Sequence, residues 1–123
     1  MPRILIVDDS ETTLSFLRTV FESERYEVAT AISGDDGLAQ VHAALPDLVI
    51  TDSNMPGMDG FSFLRIQRSD PATEAVPVIM LTAGSPDDPD HIVREPRPDA
   101  FVKKSSNFEP LLIEVRDALQ RRR

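Results

Sequence analysis

The residues best placed to do chemistry are acids at the ends of apolar runs. "ILIVDDSE", Ile4 to Glu11, carries four apolar residues into the adjacent pair Asp8-Asp9, and the apolar "LVI" that ends at Ile50 is followed by Thr51 and Asp52. Carboxylates brought close together repel, and without a countercharge at least one has its pKa raised. A hard divalent cation removes that conflict. A few carboxylates, a backbone carbonyl and several waters at near-octahedral geometry make a magnesium site, whereas calcium usually takes more protein oxygens. Taken alone, Asp8-Asp9 reads equally well as a helix cap with a solvated neighbour, because Ser10 begins a helix. Asp52 favours a site, since two separate strands delivering acids to one edge is a much less frequent accident.

Other residues fall at the same edge. In "TDSNMPGMDG", Thr51 to Gly60, the turn formers Asn54, Pro56, Gly57 and Gly60 make the chain leave a strand and fold back before Asp59 starts a helix. Such a turn can aim a backbone carbonyl into a cleft, although an ordinary strand-to-helix loop has the same composition. "VIMLTAG" ends a strand with the hydroxyl of Thr82, and "AFVKKS" ends one with an ammonium. Consecutive strand residues face opposite ways, so only one of Lys103 and Lys104 can reach the cleft. His42 and His91 read as surface residues with no claim to chemistry.

For these residues to meet, the chain has to form a particular sheet. Short apolar runs at Arg3 to Val7, Glu27 to Ala31, Leu48 to Thr51, Val78 to Leu81 and Ala100 to Val102 alternate with helix-length amphipathic segments. That pattern predicts an α/β, doubly wound five-stranded parallel sheet with helices on both faces. Strand order 2-1-3-4-5 makes strands one and three neighbours at the point of reversal, where ligands bind beyond the carboxyl ends. Asp8, Asp9 and Asp52 then converge. Ser33 with Asp36, and Ser106 with Glu109, have capping-box spacing, and Asp59 can cap a third helix. Leu14, Leu17, Val20 and Phe21 mark the buried face of the first helix. Phe108, Leu111, Leu112, Val115, Ala118 and Leu119 mark that of the last. Between Thr82 and Phe101, Pro86, Pro89, Pro96 and Pro98 leave a helical window of about six residues, with Asp88 as its cap. The fourth helix is therefore expected to be short, irregular or mobile.

Composition narrows the function. At 123 residues the chain is one domain's worth, and with no cysteine it has neither disulfides nor thiolate chemistry. Cytoplasm is the expected location, and no apolar run is long enough for a signal peptide core or a membrane span. Lys+Arg 13 against Asp+Glu 21 gives a net charge of −8, which argues against nucleic acid as a direct ligand. The basic run Arg121-Arg122-Arg123 reads as a solvated helix end that complements the helix dipole, or as the start of a linker.

Together, "VDD", "D-x-N-M-P-G-M-D-G", "LTA" and "D-A-F-V-K-K" appear in the order and at the spacing of a response-regulator receiver domain of the chemotaxis type, and the chain resembles that family over essentially its whole length. The resemblance implies a single receiver domain over residues 1–123, phosphorylated on aspartate in two-component signalling. Asp52 would be the phosphoacceptor. Asp8, Asp9, Asp52 and the backbone carbonyl of Asn54 would hold Mg2+, and Lys104 rather than Lys103 would pair with the phosphoryl group. Thr82 and Phe101 would be the switch pair. The implied partners are a sensor histidine kinase or phosphotransfer protein and a downstream protein, with no direct contact to nucleic acid or membrane. It would be a signalling switch and no enzyme beyond catalysing its own phosphorylation and dephosphorylation. Two residues depart from the family: Ser105 stands where proline, often cis, usually follows the lysine, and Phe101 lacks the hydroxyl of the tyrosine often found there. The rivals are a receiver-shaped interaction scaffold, which should have lost the acids, and a Mg2+-dependent aspartyl-phosphate phosphatase, which would space its first-strand acids by one residue. A flavodoxin-like nucleotide binder would want a phosphate-cradling loop where Asp8-Asp9 stand.

Overall fold

A computed structural model describes residues 1–84, 95–105 and 107–121. Five strands, β1 (Arg3–Val7), β2 (Glu27–Ala31), β3 (Leu48–Asp52), β4 (Val78–Thr82) and β5 (Ala100–Lys103), form one parallel sheet in the order β2-β1-β3-β4-β5. Four helices are described: α1 (Glu11–Ser23), α2 (Gly34–Ala43), α3 (Gly60–Arg68) and α4 (Glu109–Arg121). The expected strand order and class hold. Strands β3, β4 and β5 each run one residue further than the apolar runs suggested, so Asp52 and Thr82 are themselves the last strand residues. Their backbones stay in the ladder past the point where hydrophobicity stops. The helix expected between β4 and β5 falls on residues 85–94, with His91, Pro86, Asp88 and Pro89, outside the described residues, as do Ser106 and the last two arginines.

The two-residue period of each strand sorts its side chains into two cores. Ile4, Ile6, Leu48, Ile50, Ile79 and Leu81 pack with Leu14, Leu17 and Phe21 of α1 and Leu111, Val115 and Ala118 of α4. Leu5, Val7, Val49, Val78 and Met80 pack on the other side with Val41 of α2 and Phe61, Phe63 and Leu64 of α3. Strands covered on both faces have no polar side to show, which is why β1, β3 and β4 read as continuous apolar runs. Val20, expected in the buried stripe of α1, is only half-buried. Among the described residues no helix is long and apolar enough to cross a membrane.

Helix starts follow the expected chemistry. Ser10, Ser33 and Asp59 cap α1, α2 and α3, their side-chain oxygens accepting the N–H groups of Thr13, Asp36 and Ser62 at 3.2, 3.1 and 2.8 Å. Gln40 of α2 donates to the Thr30 carbonyl at 2.7 Å, tying that helix to β2.

One ion pair ties α2 to the far end of α3. His42 Nε2 lies 2.8 Å from Asp70 Oδ2, and Nδ1 lies 2.8 Å from the Leu38 carbonyl. Both ring nitrogens face acceptors, so the doubly protonated imidazolium satisfies both. The Asp70 carboxylate, and after it the Leu38 carbonyl, raises the His42 pKa above its usual 6.5. A histidine whose folded pKa is raised contributes stability in full below its unfolded pKa and loses it as pH rises through the folded value. Thermal unfolding should therefore show a small decline in midpoint from pH 6 to 8, and Asp70→Asn should flatten it.

Candidate functional site

Because β1 pairs with β3 in parallel, with Ile6 opposite Ile50 and Val7 opposite Thr51, the residues that follow emerge side by side. Asp8 is fully buried, Asp52 is 7% exposed and Asp9 is exposed. Even so, one carboxylate oxygen from each lies within 4.8 Å of the others. Asp8 is held twice by the main chain: its N–H donates to the Ala31 carbonyl at 3.0 Å, and its Oδ1 accepts the Ser10 N–H at 2.8 Å.

Lys104 closes the cluster. Its Nζ donates to Asp8 Oδ2 at 2.8 Å and to Asp52 Oδ2 at 3.1 Å. The choice between adjacent lysines follows from the strand period. Val102 packs into the core on the α1/α4 side, so Lys104, two residues on, shares that side with Asp52 and Asp8, while Lys103 points away and is exposed. From the end of β5 the lysine reaches past β4 toward the acids at the ends of β3 and β1. The Lys104 N–H bonds the Thr82 carbonyl at 2.7 Å, which carries the ladder past the end of β5. The only cis peptide among the described residues is Glu95–Pro96, so the Lys104–Ser105 bond is trans, and the lysine reaches both acids without the family's proline.

Burial pushes the Asp52 carboxyl above its usual range; the Lys104 hydrogen bond and the Asn54 N–H pull against this, and the Asp8 charge adds to it. For Lys104, burial works against the ammonium, but the bonds to Asp8 and Asp52 outweigh it and its pKa stands above normal. Three carboxylates face one ammonium, so acids outnumber the base that balances them. All the donors are hard oxygens, and the residues therefore fit a small divalent cation better than a soft metal.

The loop after β3 is fastened at both ends. Ser53 N–H donates to the Leu81 carbonyl at 2.8 Å, Asn54 N–H to Asp52 Oδ1 at 3.3 Å, and Gly60 N–H to the Ser53 carbonyl at 3.1 Å. Gly57 takes φ +76° at the turn. A side chain at Gly60 would overlap the Asp52 carbonyl oxygen, so a bare Cα there lets α3 begin directly against the strand that carries Asp52. Asn54 starts the loop with its side chain exposed.

Thr82 is buried, and its hydroxyl accepts the Gly84 N–H at 3.2 Å. Phe101 is half-buried on the α2/α3 side, its ring 6.0 Å from that of Phe61. The structure thus brings Asp8, Asp9, Asp52 and Lys104 into contact and places Asn54 and Thr82 at the same edge. Phe101 lies further back along β5. Sequence reasoning missed Gly60, whose place after a capping aspartate signals only a helix start, and the aromatic pair beside the cleft. Phe16 of α1 is 56% exposed and stacks on Phe108 with ring centroids 4.9 Å apart.

Comparison with known proteins places this geometry. Residues 4–116 match the family described as response regulator receiver domain. Response regulator PleD of Caulobacter vibrioides is 44% identical over 81 residues, which are 66% of this chain but 18% of PleD, so the chain matches less than a fifth of that relative's length. Chemotaxis protein CheY4 of Vibrio cholerae superposes with a TM-score of 0.88 at 30% identity, covering 96% of this chain and 98% of that one. Response regulator protein TrrA of Thermotoga maritima, solved in complex with Mg2+-BeF, gives 0.83 at 32% identity, covering 96% and 99%.

An acid whose folded pKa is raised stabilises the fold only while protonated, and that contribution is lost as pH rises through the folded value. Ionised Asp52 therefore costs stability at neutral pH. Asp52→Asn is expected to raise the metal-free unfolding midpoint at pH 7 by a few degrees, about what 1 kcal/mol gives in a domain of this length. Mg2+ at about a hundred times its Kd should stabilise the wild-type chain by about 2.7 kcal/mol and Asp52→Asn by clearly less. Calorimetric melts with and without Mg2+ check both.

Proposed function

The chain belongs to the response-regulator receiver family, and on that premise we propose that residues 1–123 form a single receiver domain that takes a phosphoryl group from a phosphohistidine onto Asp52. The observation that carries the proposal is the Lys104 ammonium bonded to both Asp8 and Asp52 within a cluster of three carboxylates. Phosphoryl transfer asks mainly for positioning and charge neutralisation, and this cluster is built for both. Receiver domains are signalling switches; the chemistry proposed here is confined to the protein's own phosphorylation and dephosphorylation.

In the reaction a bond forms between phosphorus and an Asp52 carboxylate oxygen, the phosphorus–nitrogen bond of the donor breaks, and its electron pair stays on the imidazole. Asp8, Asp9, Asp52 and the backbone carbonyl of Asn54 would hold Mg2+, which would supply countercharge for the phosphoryl group. Asp52 is kept in place for in-line attack by the Asn54 N–H and by Lys104. Once the phosphoryl group is on Asp52, Lys104 turns its ammonium to a phosphoryl oxygen while Asp8 still anchors it. The Thr82 hydroxyl, at the end of the adjacent strand, donates to another oxygen in the active arrangement, and Phe101 repacks with it. Phe16 and Phe108 give the donor protein apolar ground beside the cleft.

Magnitudes fit a switch. A phosphoryl group brings about −2 charge and three acceptor oxygens, and each charge-assisted hydrogen bond is worth roughly 1.5 to 3 kcal/mol. Two contacts made only in the active arrangement, from Thr82 and a main-chain amide, total about 3 to 6 kcal/mol by that figure. Inverting a 1:99 equilibrium needs about 5.5 kcal/mol. Phosphorylation thus shifts most of the population, and a downstream protein that binds the active arrangement completes the shift.

Intact mass after incubation with a small phosphodonor and Mg2+ tests this reading. One phosphate is expected on the wild-type chain and none on Asp52→Ala or after chelation, while Lys104→Ala should label roughly a hundredfold more slowly. Labelling that persists without Asp52 would sink the proposal.

A further inference from the structure

The loop after β3 touches a second element besides its own ends. A Cβ on Gly34, the first residue of α2, would stand 2.7 Å from Met58 Sδ and 2.9 Å from Met58 Cβ and Cγ. Real side chains do not approach that closely, and Met58 Cβ, one bond from the main chain, has little freedom to turn aside. The Met58 side chain of the loop therefore sits against bare backbone at the start of α2.

If a side chain were placed at Gly34, either α2 or the loop would have to give way. Helix α2 is held: a Cβ on Gly37 would already meet Phe63 and Val7 at 3.0 Å, and Gln40 is bonded to the Thr30 carbonyl at 2.7 Å. The loop is fixed at Ser53 and Gly60 by main-chain bonds to Leu81 and Ser53 at 2.8 and 3.1 Å, while Pro56 and Gly57 at its tip are exposed. A displacement would fall on the stretch from Asn54 to Asp59, in which Asn54, Pro56 and Gly57 are exposed while Met55 is buried in the core and Asp59 caps α3.

We infer that Gly34 is a positioning residue: its missing side chain sets how closely the loop approaches α2, and through the loop it positions Asn54, whose N–H bonds Asp52 Oδ1 at 3.3 Å and whose carbonyl is proposed above to hold the metal. This rests on the functional reading above and adds a regulator of that site on a different helix. Alanine is a better helix former than glycine, so on local propensity alone Gly34→Ala should leave α2 intact or improve it. The steric and propensity effects have opposite signs, and this separates a positioning role from a structural one.

Two readouts test the inference: Mg2+ affinity by titration calorimetry on the unphosphorylated chain, and the rate of labelling by phosphoramidate. Gly34→Ala is expected to weaken Mg2+ binding about tenfold and to slow labelling to match at low Mg2+, with the metal-free unfolding midpoint at or near the wild-type value. Gly34→Ala combined with Met58→Gly removes all three overlapping atoms and should recover most of the lost affinity, while Met58→Gly alone stays within about threefold of wild type. Wild-type Mg2+ affinity in Gly34→Ala, or no recovery in the double variant, overturns the inference. If Gly34→Ala does not fold, Met58→Ile puts the added methyl on the loop side of the same contact; weakened Mg2+ binding then supports the inference, and wild-type binding overturns it. A wild-type chain that takes no label at Asp52 overturns the functional reading and the inference together, whereas a labelled wild type matched by Gly34→Ala overturns the inference alone.

Discussion

Three carboxylates within 4.8 Å of one another are the constraint on which this structure turns. At an effective dielectric constant near 20, two unit charges at that separation repel by roughly 3 to 4 kcal/mol, a large fraction of the 5–15 kcal/mol that usually separates folded from unfolded chains. The fold accepts the cost because adjacency of β1 and β3 leaves Asp8 and Asp52 nowhere else to go. Lys104 offsets part of it, and the main-chain N–H groups of Ser10 and Asn54 offset a little more. The remaining excess of negative charge is a standing attraction for a hard cation. Affinity for the metal and strain in the metal-free fold are two aspects of the same arrangement of charge.

Holding that arrangement is the task of the surrounding elements. The two apolar cores hold the sheet from both sides. Main-chain bonds from Ser53, Gly60 and Lys104 carry the ladder beyond the formal strand ends, so the reactive side chains stand on backbone that is still paired. Glycines at 34 and 60 permit two close approaches, of the Met58 side chain to the start of α2 and of α3 to the strand that carries Asp52. Rigidity at the edge comes from paired backbone and missing side chains, and little of it from large side chains.

Much of this is legible in the residues. Apolar runs of strand length separated by amphipathic segments give the parallel sheet, and acids at the ends of the first and third runs give the cluster, because both depend only on local pattern and on one rule of topology. The strand period says only that one of Lys103 and Lys104 reaches the cleft; the family resemblance selects Lys104, and the burial of Val102, which fixes the side, is visible only in the structure. Contacts between segments that no period relates are different. His42 meets Asp70 across 28 positions, Gly34 meets Met58, and Phe16 meets Phe108 only once the helices are docked. The ends of β3, β4 and β5 lie one residue beyond their apolar runs for a related reason: Asp52, Thr82 and Lys103 are polar, yet their backbones continue the ladder. The helix expected between β4 and β5 lies outside the described residues.

The alternation that builds two cores also divides the edge of the sheet. Asp8, Asp52 and Lys104 continue the series that packs with α1 and α4, while Thr82 and Phe101 continue the series of Val78 and Met80 on the opposite side. Charge is gathered on one side of a wall one backbone thick, and the hydroxyl and the aromatic ring belong to the other. Met80 is paired with Phe101, and Asp52 with Leu81, through the same strand β4. That strand is thus a shared partition, and a small tilt of its last residues registers in both compartments at once.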